Sequence, residues 1–152
     1  ACVAVWFFPE DEWRLFSGMA AKPCVDALNS RQLIIGHNVN AFDNPIIVRH
    51  ARCDIFAPVF DFLSVIREQS GGHGWKLDEI ARAMGVGQKH MDGAKEAELV
   101  KQGKLIEVAD SAMADVRLLK RILQKVRLGH GTVSGKNESV RLPASVYGQI
   151  EF

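Results

Sequence analysis

The sequence predicts a layered α/β domain. Two short apolar runs, CVAVWFF at residues 2–8 and QLII at residues 32–35, have the branched and aromatic content of buried strands. Amphipathic segments at helical spacing separate and follow them. Strand, helix, strand, helix and then further helices is the order of an α/β layered structure. A chain of 152 residues is most economically one domain with a single core.

The elements follow from local chemistry. Pro9 closes the first run, and Glu10, Asp11 and Glu12 favour a helix start, because acidic side chains complement the helix dipole. Residues 11–30 accordingly read as helical, in two pieces broken near Pro23. The second strand is closed by Gly36. A helix is expected from Asn44-Pro45 to about Arg52, with Pro45 suited to its first turn. Val59 to Leu63 reads as a short strand or a strand-like entry into a helix. Ser70-Gly-Gly-His-Gly74 has the composition of a loop. Short helices are expected over 76–84 and 94–102, ended by Gly85 and Gly103.

The longest periodic segment follows. Leu105, Val108, Ala109, Ala112, Val116, Leu119, Ile122, Leu123 and Val126 recur at helical spacing until Gly129 and Gly131 stop it. The last stretch alternates weakly around a Gly-Lys-Asn-Glu turn, which suggests a loose hairpin at a sheet edge, with Pro143 limiting further pairing. The expected organisation is a domain over residues 1–128, with residues 129–152 as its C-terminal loop or hairpin extension.

Composition narrows the function classes. No apolar run approaches the roughly 20 residues of a membrane-spanning helix, so no membrane partner is expected. The opening ACVAVWFF lacks a basic lead and is too short for a secretory signal. Cys2, Cys24 and Cys53 cannot all pair, and none sits in a Cys-x-x-Cys arrangement; reduced thiols and a cytoplasmic location are the expectation. The histidines show no ligand spacing relative to them, which argues against zinc. A net charge of +1 counts against a high-affinity, non-specific nucleic-acid binder. It counts less against a nuclease, whose acidic metal site offsets its own basic rim. No Gly-x-Ser-x-Gly elbow, phosphate loop or dinucleotide fingerprint is present.

The chemistry concentrates in residues 33–47, LIIGHNVNAFDNPII. An apolar strand runs into a Gly-His-Asn turn and sets Asp43 at a helix start, at the carboxyl end of a strand, where open α/β sheets build their sites. Asp43 could equally be a simple helix cap. Asp115 lies in the long helix beside its apolar stripe, where an acid is costly unless paired or bound to a cation. Arg117, Lys120 or another basic neighbour could supply that pairing, and Asp110 and Glu107 read as solvated. Two carboxylates from distant segments point to phosphodiester hydrolysis assisted by Mg²⁺ or Mn²⁺, which hard oxygen ligands suit. Asp61 reads as a strand-end acid bonding to a turn, and Lys89 as a loop lysine with phosphate contact as the alternative.

These residues also carry a resemblance. GHNVNAFDNPII resembles the second exonuclease motif of the DEDD (DnaQ-like) superfamily, in the subgroup related to the proofreading domain of B-family DNA polymerases. WKLDEIARAMGVGQKHMDGAKEAELVKQGKLIEVADSAMADVRLL is similar to the rest of that domain. It includes a Lys-x-Met-Asp-Gly turn (Lys89, Met91, Asp92, Gly93) and a third motif ending in Asp115-Val116. The resemblance spans roughly residues 3–125. It implies an RNase H-like three-layer fold, two divalent metals, and 3′-to-5′ removal of nucleotides from single-stranded ends, DNA in the first instance. It implies Asp43 and Asp115 as catalytic and metal-holding carboxylates, with Asn38, Asn40 and Phe42 at the substrate strand. It also implies a place within a larger replication or repair polypeptide or complex.

Two departures accompany it. The first motif, an Asp-x-Glu pair on the first strand, has no counterpart here: Glu10 and Glu12 have the spacing but the wrong context. The chain is expected to start at the family's third strand, without the one carrying that pair. Where the family holds a Tyr four residues before the last acid, or a His five before, this chain has Ser111 and Asp110. A catalytically impaired nucleic-acid-binding or scaffold module on the same fold is the alternative expectation.

Overall fold

The computed structural model describes residues 2–8, 10–134 and 139–141. β1 (Cys2–Phe7) and β2 (Glu12–Ser17) form an antiparallel hairpin in which Trp6 faces Trp13 and Val3 faces Phe16. The helix expected from residue 11 is thus a strand up to Ser17. An apolar strand needs partners for its backbone groups, and β2 supplies them along with an aromatic cross-strand pair. The acidic cluster makes the turn between them. Asp11 takes a left-handed φ of 52° and accepts the Trp6 Nε1–H at 2.6 Å.

A short 3₁₀ turn (Gly18–Ala20) leads into α1 (Ala21–Asn29). Pro23 does not break that helix, because it sits in the first turn, where no intrahelical N–H bond is lost. β3 (Ile34–Gly36) then pairs in parallel with β4 (Val59–Asp61), Gly36 standing opposite Asp61. Between them lie a π-helical turn (Val39–Asp43) and α2 (Asn44–Ala51), with Pro45 at its start as expected.

Five further elements complete the described chain before its last strand: α3 (Phe62–Gln69), α4 (Leu77–Ala83), α5 (Gly93–Lys101), α6 (Leu105–Arg127) and β5 (Thr132–Ser134). β5 pairs with β6 (Ser139–Arg141), Val133 opposite Val140. The sequence places this hairpin at a sheet edge; the structure pairs it only with itself, among the described residues. Its two valines are each 1% exposed and join the core under α3, α4 and α6. The Gln69 amide fixes it from outside, donating to the Arg141 carbonyl at 2.7 Å and accepting from its N–H at 2.8 Å. Pro143 lies outside the described residues.

The architecture is mixed α/β, with three two-stranded sheets among the described residues. Two apolar clusters hold it. One gathers Ile66, Ile80, Leu118, Ile122 and Val126 with the C-terminal hairpin; the other gathers Phe16, Cys24, Val25, Leu28 and Ile47 between α1, α2 and the first hairpin. No helix among the described residues is long and apolar enough to cross a membrane.

Candidate active site

β3 ends at Gly36, and the next residues turn sharply. Asn38 takes a left-handed conformation with φ of 64°, which Asn tolerates better than most residues. The turn is held by Asp61, only 5% exposed at the end of β4. Its carboxylate accepts the backbone N–H of Asn38 at 2.7 Å, of Asn40 at 3.0 Å and of Leu63 at 3.0 Å. A single buried acid therefore pins the Gly-His-Asn turn and caps α3, the turn-bonding role its position suggests.

That turn carries Asp43 to the start of α2, where its side chain makes no capping hydrogen bond. Asp43 and Asp115 face one cleft of about 1290 Å³, which Asn38, Phe42, Lys89 and Glu96 also line. Asn40 is exposed and reaches the turn only through its backbone. Phe42 is 60% exposed, so its ring is presented to solvent and not packed in the core.

Burial pushes the Asp43 carboxyl above its ordinary value, and the neighbouring charges of Asp61 and Asp115 push the same way, against Lys89. Burial also raises Asp115, although the Lys89 ammonium, 2.7 Å from Oδ2, pulls it back. Burial disfavours the Lys89 charge, but its bond to Asp115 and the charges of Asp115 and Glu96 outweigh this and hold it above its ordinary value. Asp115 is thus paired as the cost of burying an acid requires, by another basic residue, Lys89, and not by Arg117 or Lys120. Asp115 Oδ1 is buried without a hydrogen-bond partner among the described residues.

Lys89 is positioned from behind. Its backbone N–H bonds the Asp78 carboxylate of α4 at 2.6 Å, while Asp92 caps α5 by accepting from Lys95 N–H at 2.8 Å. The Lys-x-Met-Asp-Gly turn is thereby fixed at both ends. Glu96 on α5 stands 3.5 Å from Lys89 Nζ and accepts the Ser111 hydroxyl at 2.5 Å. Ser111, 1% exposed, is committed to that bond; Asp110 is exposed and lies off the cleft lining. Glu10 and Glu12 pair with Arg31 and Arg14 at the first hairpin, which removes them from this site.

Asp43 and Asp115 offer hard oxygen donors to a divalent cation, and the unpartnered Oδ1 fits that use. Among the described residues, no three or more His, Cys, Asp or Glu side chains converge as a metal-holding group. Sequence reasoning missed Glu96 and assigned Lys89 no firm part. The Lys-x-Met-Asp-Gly turn was the available signal for Lys89; Glu96 had none, because its role arises only where α5 packs on α6.

The fold and site define a mixed α/β protein with two half-buried carboxylates at one cleft. Compared with known proteins, the chain matches no family model, no curated protein and no solved structure.

Proposed function

We propose that this chain is a metal-dependent 3′-to-5′ exonuclease domain of RNase H-like type, acting on single-stranded 3′ ends, DNA before RNA. The observation that carries the reading is the meeting of Asp43 and Asp115, from distant parts of the sequence, at one cleft beside Lys89. Asp43 and Asp115 would hold a divalent cation, which would supply Lewis-acid assistance to phosphodiester hydrolysis. The exposed Phe42 ring offers a face on which a terminal base stacks. The half-buried Asn38 side chain lies at the same mouth to meet the strand. Lys89 neutralises Asp115, and its ammonium would be placed to meet a phosphate if the carboxylates held a cation.

The test is a 5′-labelled single strand incubated with Mg²⁺ or Mn²⁺. Stepwise shortening from the 3′ end is expected, and its loss in Asp43→Ala and in Asp115→Ala. Cutting that persists unchanged in both variants overturns the assignment. A second reading, a nucleic-acid-binding module without turnover, is favoured by the bond that commits Ser111 to Glu96. Its signature is salt-dependent binding of the same strand with no shortening.

A further inference from the structure

The near balance of 19 Lys and Arg against 18 Asp and Glu conceals a segregation. Residues 116–137 hold Arg117, Lys120, Arg121, Lys125, Arg127 and Lys136 and no acid. All but Lys136 lie in the second half of α6, whereas Glu107, Asp110 and Asp115 belong to its first half. Lys120 is taken by Asp11 at 2.8 Å. Arg117, Arg121 and Lys125 form a separate row at four-residue spacing, off the cleft lining. Arg117 and Arg121 are exposed and Lys125 is half-buried. None of the three pairs with an acid among the described residues.

Like charges four residues apart repel and weaken the helix that carries them. No Asp or Glu stands three or four residues from Arg117, Arg121 or Lys125 to relieve this. The helix dipole accounts for Lys125 in the last turn. Its influence does not reach Arg117 and Arg121, which lie more than a turn further in. Two of the three heads are also held in place. The Arg117 guanidinium sits 5.5 Å from the Trp13 ring centroid, and Arg121 Nη1 donates to the Val86 carbonyl at 3.4 Å. They therefore meet an anion at small cost in side-chain freedom.

Successive charges about 6 Å apart along the helix axis suit a linear polyanion. A membrane-surface helix sets its cations beside an apolar face turned to the lipid. Helix α6 instead turns its apolar faces to the core and the cleft. Trp13 borders the row at Arg117, and aromatic rings beside cations serve unpaired bases, whose faces a duplex hides.

We propose that Arg117, Arg121 and Lys125 form a contact row for the phosphate backbone of single-stranded nucleic acid, outside the cleft that Asp43 and Asp115 face. The inference rests on the nuclease reading for its class of partner alone, since the contact needs neither carboxylate. The probe is a fluorescein-labelled oligothymidylate of about 16 nucleotides. Its binding is followed by anisotropy in EDTA, so that turnover plays no part.

For single strands, log affinity falls against log salt by about 0.7 per phosphate neutralised. Replacing the row by Arg117→Gln, Arg121→Gln and Lys125→Gln is expected to flatten that slope by about 2. Between about 50 and about 200 mM salt the unsubstituted chain then loses about 20-fold more affinity than the triple variant. Arg117→Lys with Arg121→Lys keeps the charges and is expected to keep the slope. Arg49→Gln with Lys95→Gln and Lys101→Gln removes the same net charge elsewhere and is expected to leave the slope unchanged. Circular dichroism establishes that each variant is folded.

An unchanged slope in the α6 triple variant overturns the proposal. So does an equal loss in the charge-matched control, which makes the effect one of net charge. A blunt duplex bound as tightly as the oligothymidylate, polyglutamate that displaces it at equal charge, or phosphatidylserine vesicles bound through the same three residues each overturns it in favour of another partner. Cutting that fails while this binding persists counts against the nuclease reading alone.

Discussion

Helix α6 meets two different environments along its length. On one face Leu118, Ile122 and Val126, all under 5% exposed, are sealed by α3, α4 and the C-terminal hairpin. On another, Val116, Leu119 and Leu123 are half-buried and look into the cleft beside β1 and β3. Both faces carry large aliphatic side chains. What separates them is whether a neighbouring element closes the space, so similar side chains yield a tight core on one side and the wall of an open cleft on the other.

The largest effect that sharpens this contrast comes from paired truncations. Ile122→Ala is expected to lose about 3–4 kcal/mol in urea unfolding, through lost burial and a residual cavity. Leu119→Ala is expected to lose about 1 kcal/mol or less, because its side chain already borders open space. Equal losses would dissolve the distinction between the two faces.

Asp61→Ala comes next, at about 2–3 kcal/mol, since three backbone N–H groups lose one buried acceptor. Faster amide exchange at Asn38 and Asn40 is expected with it, while exchange in α6 near Ile122 stays slow. A third, smaller change is Lys89→Met, at roughly 1 kcal/mol, because the paired side chains are 26% and 28% exposed. That variant is also expected to bind Mn²⁺ several-fold more tightly, measured by titration calorimetry, because Asp115 no longer shares its charge with a lysine. Unchanged Mn²⁺ affinity would separate Lys89 from the cation site.

The smallest effect is electrostatic. A carboxyl raised by folding binds its proton more tightly in the folded chain. Its contribution to stability is therefore greatest in acid and declines as pH rises from about 4 through the raised folded value. Asp43, raised chiefly by burial, is thus a liability at neutral pH. Asp43→Asn is expected to raise Tm modestly at pH 7, with the gain shrinking toward pH 4. A gain that does not depend on pH would point to packing instead.

Part of the site was readable directly. The run GHNVNAFDNPII, with its strand and helix start, set Asp43 at the start of α2 as the structure has it, and the α6 periodicity set Asp115 beside an apolar stripe. Other parts were not. The acidic run at Glu10 to Glu12 carries helix-start chemistry, yet the need of β1 for a paired edge made it a turn. Lys89 and Glu96 reach Asp115 only because α5 and its preceding turn fold against α6. The Lys-x-Met-Asp-Gly turn marks Lys89, but nothing near Glu96 in sequence records that.

Local pattern by itself determined α2, α4, α5 and α6, the glycines that end the last three, and which acids stand beside apolar faces. Those properties depend on side chains within a turn or two of one another, and the chain carries them wherever it goes. Tertiary structure alone decided that residues 12–17 are a strand, that Lys89 is the ion partner of Asp115, and that one side of α6 is sealed while the other stays open. Each of these is a through-space energy, a backbone edge or a buried charge finding its partner, and such energies exist only once distant segments have met.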